Sequence, residues 1–141
     1  MRDGVPEILI ACAKIPVGSS ISDNFSNGST GNLLAAVDLA SGTLSTAYGS
    51  RKRGWPVLTS KETHPDTGGL IRGFNLPYWD EVKQVALRAQ KSLPGFRSIG
   101  WDIAITDEGP LLVEANAGYG IASLQIAHQR GLRSEITQKL T

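Results

Sequence analysis

Two carboxylates and a carboxamide, Asp102, Glu114 and Asn116, stand in one short stretch, Gly-Trp-Asp-Ile-Ala-Ile-Thr-Asp-Glu-Gly-Pro-Leu-Leu-Val-Glu-Ala-Asn at residues 100–116. The turn signal Thr106-Asp107-Glu108-Gly109-Pro110, flanked by apolar runs at 99–105 and 111–115, predicts a hairpin. Along a strand, side chains alternate faces, so Glu114 and Asn116 point one way and Val113 and Ala115 the other. With a three-residue loop at 107–109 and Gly109 in the left-handed position, Thr106 pairs with Pro110 and Asp102 falls opposite Glu114. Two carboxylates at a Cβ separation of roughly 5 Å repel by roughly 3 kcal/mol at an effective dielectric of about 20. A divalent cation compensates such a pair. Two carboxylates and a carboxamide are hard oxygen donors, and Mg²⁺ is commonly held by one or two carboxylates while phosphates and water complete its octahedron. The spacing leaves a second reading open, in which Asp102 and Glu114 sit on the wet face of a half-exposed hairpin; a one-residue change of register would separate them.

Lys14 closes the apolar run at residues 7–14, which reads as a buried strand opening just after the turn signal Asp3-Gly4. A cation at the end of such a strand either meets an anion or snorkels along apolar surface, and both readings stand. A hairpin turn at residues 3–4 calls for a preceding partner strand. That points to the carboxyl-terminal half of something longer.

Other elements must position these groups. Residues 16–32 contain three Gly, five Ser and three Asn, a composition that favours turns and exposed N–H groups, so they form a long polar loop. Residues 33–39 and 43–48 around Ala40-Ser41-Gly42 predict a second hairpin, and residues 51–69 a further irregular stretch. Val82, Val85, Ala86, Ala89 and Leu93 recur at helical spacing; Asp80 and Glu81 favour the first turn, and Pro94-Gly95 stops a helix over 79–93. A last helix spans 123–140 with an interruption at Gly131. The pattern is α+β.

Composition excludes several classes. With 40% hydrophobic and 19% charged residues the chain is too apolar to stay disordered, and 141 residues suit one domain with a real core. The net charge of +1 gives no general pull toward nucleic acid or an anionic membrane, and the triplet Arg51-Lys52-Arg53 reads as a solvated loop. A single Cys12 excludes a disulfide framework and a thiolate metal site, no apolar stretch reaches the ~18 residues of a membrane span, and the start lacks a secretory core, so the chain is expected in the cytoplasm. The phosphate loop Gly-x-x-x-x-Gly-Lys-[Ser/Thr], Gly-x-Gly-x-x-Gly and a nucleophile elbow are all missing. His64 and His128 lack zinc-site spacing, and Asn24-Phe25-Ser26 and Asn27-Gly28-Ser29 are acceptor patterns that matter only in a secreted protein.

The string at 100–116 resembles the metal-binding hairpin of ATP-grasp enzymes. Ser22-Asp23-Asn24-Phe25-Ser26-Asn27-Gly28 and His64-Pro65-Asp66-Thr67-Gly68 resemble, more narrowly, the sugar-transfer-associated ATP-grasp family, related to the alpha-L-glutamate ligases. The resemblance runs from about Pro6 to about Gln129. It implies ATP and Mg²⁺, with Mn²⁺ as a substitute, as cofactors: Asp102 on one metal, Glu114 bridging two and Asn116 on the second. Lys14 stands where relatives commonly have an Arg at the terminal phosphate, keeping the charge without the planar fork, and Asn24 resembles the Asn that closes over the phosphates. Relatives often carry paired glycines after that Asn, where this chain has Gly28-Ser29. The implied fold is an ATP-grasp carboxyl-terminal subdomain, an antiparallel sheet with packed helices. Residues 1–141 would then form a partial domain without the amino-terminal half, which carries the glycine-rich lid, a phosphate-binding Lys and much of the adenine pocket. The implied activity is ligation of a carboxylate to an amine or related nucleophile through an acyl phosphate, linked to polysaccharide or cell-surface sugar modification. Partners would be those two small molecules, and the bare inner face would favour self-association or pairing with the missing half. The alternative is a non-catalytic binding or assembly module that keeps the fold.

Overall fold

The computed structural model describes residues 5–19, 24–50 and 57–140. In chain order the elements are β1 (Cys12–Ile15), a 3₁₀ turn (Ser26–Gly28), β2 (Leu33–Val37), β3 (Leu44–Ser50), β4 (Leu58–Lys61), α1 (Trp79–Ser92), β5 (Gly100–Thr106), β6 (Gly109–Asn116), α2 (Ile121–His128) and α3 (Arg133–Leu140). Antiparallel sheets with helices give the expected α+β class. They fall into two compact units. One takes residues 1–9, 76–120 and 132–141, the other residues 10–75 and 121–131.

The unit of residues 10–75 and 121–131 is built on a four-stranded antiparallel sheet in the order β1-β2-β3-β4. Phe25, Leu34 and Ala127 form its buried cluster, and Cys12, Ala36, Leu58 and Ile126 pack against them, so α2 lies on the sheet face that carries Leu34 and Ala36. The first strand is shorter than the apolar run suggests. Pairing with β2 begins at Cys12↔Ala36, and the last bond on that side runs from the Val37 N–H to the Ala11 carbonyl at 3.2 Å. Beyond Val37 the neighbouring chain turns away at Asp38, so β2 does not extend the pairing to residues 7–10. That turn is held by Asp38, whose carboxylate accepts from the Ala40 and Ser41 N–H groups and the Ser41 hydroxyl. The Ser41 bonds hold its pKa below the ordinary 3.8. β4 lies inside the stretch expected to be irregular. Its residues Leu-Thr-Ser-Lys carry little apolar alternation, and β3 supplies the pairing, from Ala47↔Lys61 to Ser50↔Leu58. The turn signal at residues 3–4 and the triplet at 51–53 lie outside the described residues.

Gly49 in β3 has no room for a side chain. A Cβ there would overlap the Leu33 Cδ2 atom and stand 3.1 Å from the Asn32 carbonyl, and both neighbours are fully packed, with Leu33 1% and Asn32 0% exposed. Gly49→Ala should therefore destabilise by roughly 1–3 kcal/mol through overpacking. A thermal-unfolding midpoint within a degree of wild type would contradict this.

In the other unit, β5 and β6 form a two-stranded antiparallel ribbon beside α1. The helix begins where expected, with Asp80 and Glu81 in its first turn, and Ser92 is its last residue before Leu93 and Pro94. Tyr78, left-handed at φ 56°, donates its hydroxyl to the Asp107 carbonyl at 3.0 Å, tying the helix start to the hairpin tip. The buried Gln90 of α1 donates to the Phe96 carbonyl at 2.9 Å and accepts from the Trp101 indole at 3.3 Å. Lys139 of α3 pairs with Glu7 at 2.8 Å, and Leu132 ahead of α3 is fully buried. The expected interruption near Gly131 separates α2 from α3. Among the described residues no helix is long and apolar enough to cross a membrane.

Candidate functional site

Asp102 pairs with Glu114 across the β5–β6 ribbon, and two positions on, Gly100 pairs with Asn116. The route to that register differs from the expected one. Thr106 pairs with Gly109 rather than with Pro110, leaving only residues 107–108 between the strands, and this tighter register runs to Ile103↔Leu112. A bulge between Asp102 and Ile103 then takes in Val113, and the register shifts by one residue. Gly109 has φ 116°, a conformation that favours glycine; the Thr106 hydroxyl donates to its carbonyl at 2.8 Å and accepts from the Glu108 N–H at 3.2 Å. Without the bulge the tip register would put Val113 opposite Asp102.

Directly paired residues in an antiparallel ribbon share a face, and so do residues two apart. Glu114 and Asn116 therefore stand on the face of Asp102. Trp101, one residue earlier, bonds to Gln90 of α1, so the carboxylates occupy the opposite face from the helix. Gly100 has the Tyr119 side chain against it: a Cβ would lie 2.6 Å from the Tyr119 Cβ, and the Tyr119 hydroxyl shares a 2.7 Å hydrogen bond with Ser98. That contact fixes the chain just beyond Asn116. Among the described residues no group of three or more His, Cys, Asp or Glu is arranged to hold a metal. The oxygen donors on this face are two carboxylates and one carboxamide, which suits a hard cation that takes its remaining ligands from a substrate.

Lys14 and Asn24 belong to the other unit. Lys14 alternates with Cys12, which packs on the Leu34 cluster, so it stands half-buried on the α2 side of the sheet. The row across the strands reads Lys14, Leu34, Tyr48, Ser60. Asn24 is exposed, while Phe25 directly after it is 3% exposed in the core and anchors it. Ser22 and Asp23 of the same motif lie outside the described residues.

Gly28 does not offer its backbone to a ligand. Its N–H donates to the Phe25 carbonyl at 2.8 Å, and a Cβ on it would lie 2.9 Å from the Leu58 Cδ2, so this glycine serves a tight turn and close packing. Asn32, which spacing did not single out, is fully buried; its Oδ1 accepts from the Val17 N–H and its Nδ2 donates to the Asn24 carbonyl, each at 3.0 Å. An Asn closing a polar loop just before the apolar run of β2 was the available signal. His128 donates from Nε2 to the Ala11 carbonyl at 2.8 Å.

The family model for sugar-transfer associated ATP-grasp proteins matches residues 2–140. No curated protein and no solved structure matches significantly. With nearly its whole length matched, and with the paired carboxylates on one hairpin face, this chain belongs to the sugar-transfer associated ATP-grasp family.

Proposed function

We propose that this chain supplies the metal-holding part of an ATP-dependent ligase that joins a carboxylate to an amine or related nucleophile through an acyl phosphate. Its setting would be polysaccharide or cell-surface sugar modification carried out from the cytoplasm. The family as a whole supports an ATP-grasp type ligase using ATP with Mg²⁺. The observation that carries the reading is the pairing of Asp102 with Glu114, with Asn116 on the same face.

Asp102, Glu114 and Asn116 would hold Mg²⁺ or Mn²⁺ through hard oxygen atoms. When bound, Mg²⁺ neutralises charge on phosphate oxygens and orients them. Lys14 meets the terminal phosphate as a point charge on a flexible stem, without the bidentate geometry of an arginine. Asn24, exposed beside the anchored Phe25, would turn its carboxamide to a phosphate oxygen. The acid substrate's carboxylate attacks the terminal phosphorus, ADP leaves, and the nucleophile then displaces phosphate from the acyl carbon. Catalysis in this scheme is positioning and charge stabilisation, with no covalent enzyme intermediate.

The direct test is ATP-dependent formation of hydroxamates by the full-length protein when hydroxylamine stands in for the nucleophile, across a panel of small organic acids. ATP-dependent product is expected with at least one acid, and its absence with all of them, alongside unaltered folding, favours a non-catalytic module. Lys14→Met should lower kcat/KM by roughly 10- to 100-fold, the worth of one hydrogen bond to a charged group, while shifting the unfolding midpoint little. An unchanged rate would make Lys14 a structural residue of the sheet face.

A further inference from the structure

Three backbone groups within residues 16–18, shortly after Lys14, are each held by a side chain from elsewhere in the same unit. The Pro16 carbonyl accepts from His64 Nε2 at 2.8 Å, the Val17 N–H donates to Asn32 Oδ1 at 3.0 Å, and the Gly18 N–H donates to Asp66 Oδ2 at 2.6 Å. The same Asn32 holds the Asn24 carbonyl. Residues 16–18 and Asn24 are thereby tied to fixed partners at the two ends of the loop that links Lys14 to Asn24.

The turn that supplies His64 and Asp66 is itself closed. The His64 N–H donates to the Gly69 carbonyl and the Gly68 N–H to the His64 carbonyl, both at 2.8 Å, and Gly68 takes φ 70°. Within it the Asp66 N–H donates to His64 Nδ1 at 3.2 Å. A carbonyl can only accept and a backbone N–H can only donate, so these two bonds together match the tautomer with its proton on Nε2. Both ring nitrogens of His64 and the Oδ2 atom of Asp66 are thus committed to backbone groups.

We propose that His64 and Asp66 are positioning residues which, through the backbone of residues 16–18, set Lys14 and Asn24 to receive the phosphate chain of the substrate. This rests on the assignment of Lys14 and Asn24 to the phosphates. A side chain carried on tethered backbone loses less freedom on binding an anion than one on an untethered loop, which is the advantage of a preorganised site.

The test is a nuclear magnetic resonance titration of the labelled 141-residue chain with inorganic tripolyphosphate, followed at the Asn24 amide, with thermal unfolding measured on every variant. Wild type should bind at millimolar concentration. Lys14→Met should lose binding, His64→Ala and Asp66→Ala should each weaken it about tenfold, and Asp66→Asn, whose Oδ1 can still accept from Gly18, should stay near wild type. The His64 ring should resonate as the Nε2–H tautomer. If His64→Ala and Asp66→Ala bind like wild type while Lys14→Met does not, or if Asp66→Asn is as weak as Asp66→Ala, or if the ring is the Nδ1–H tautomer, positioning is overturned and the phosphate assignment survives. If wild type shows no binding, or Lys14→Met binds as well as wild type, both are overturned.

Discussion

Replacing Glu114 by Gln should lower ATP-dependent turnover of the full-length protein by roughly a thousandfold, or about 4 kcal/mol of transition-state stabilisation. The substitution keeps shape and a hydrogen-bonding oxygen but removes one of two facing negative charges. A structural carboxylate and a metal ligand then differ in sign. If Glu114 holds a cation, the apo protein loses a like-charge contact with Asp102, worth about 0.2–1 kcal/mol, and its unfolding midpoint stays level or rises. Wild type should gain about 2.7 kcal/mol of stability when Mg²⁺ is present at a hundred times its dissociation constant, and Glu114→Gln should gain much less. Wild-type turnover together with a wild-type response to Mg²⁺ would leave the Asp102 face merely wet.

Leu34→Ala should be the most damaging single truncation in the four-stranded sheet. Leu34 is fully buried, packs with Phe25 and Ala127, and stands between Lys14 and Tyr48 in the row across the strands. Deleting its branched end removes apolar contact and leaves a void, at a cost of about 2–5 kcal/mol. For a chain of this size that is an unfolding midpoint lower by about 10 °C. Leu111→Ala, at a position 60% exposed, should change stability by no more than about 0.5 kcal/mol. Because Phe25 leans on the same cluster and anchors Asn24, Leu34→Ala should also weaken phosphate binding, whereas the volume-conserving Leu34→Met should spare it. Equal midpoints for the Leu34 and Leu111 truncations would mean that the core lies elsewhere.

The hairpin shows what spacing could and could not deliver. Asp102 was expected opposite Glu114, and it is there, but through two offsetting differences: a shorter connection at residues 107–108 and the Val113 bulge. Each alone would have moved the pairing by one residue. Bulges depend on local twist and on what packs beneath the ribbon, which one sequence does not display. α1 was legible because five apolar residues, an acidic first turn and a proline all agree. β1 was overestimated because apolar residues mark burial while a strand also needs a neighbour to bond, and β4 was missed for the complementary reason. The place of Asn32 at the end of a polar loop marks it only faintly, since its role lies in joining backbone groups at Val17 and Asn24 through folded geometry.

The order in which the two units draw on the chain has a consequence for synthesis. All four strands of the larger sheet lie within residues 10–75, yet Ala127 and Ile126, which close its buried cluster, belong to α2. Residues 76–120, which build the other unit, must be made first. While they emerge, Leu34, Phe25 and Cys12 have no helix to cover them, and an uncovered apolar sheet is a species that aggregates or recruits chaperones. Neither unit is one continuous piece of chain, so the sheet that carries Lys14 gains its final packing only after the ribbon that carries Asp102 and Glu114 has been translated. Ribosome-bound chains halted before residue 121 should therefore be sensitive to protease across β1 to β4, and chains extended past residue 131 and clear of the exit tunnel should be protected.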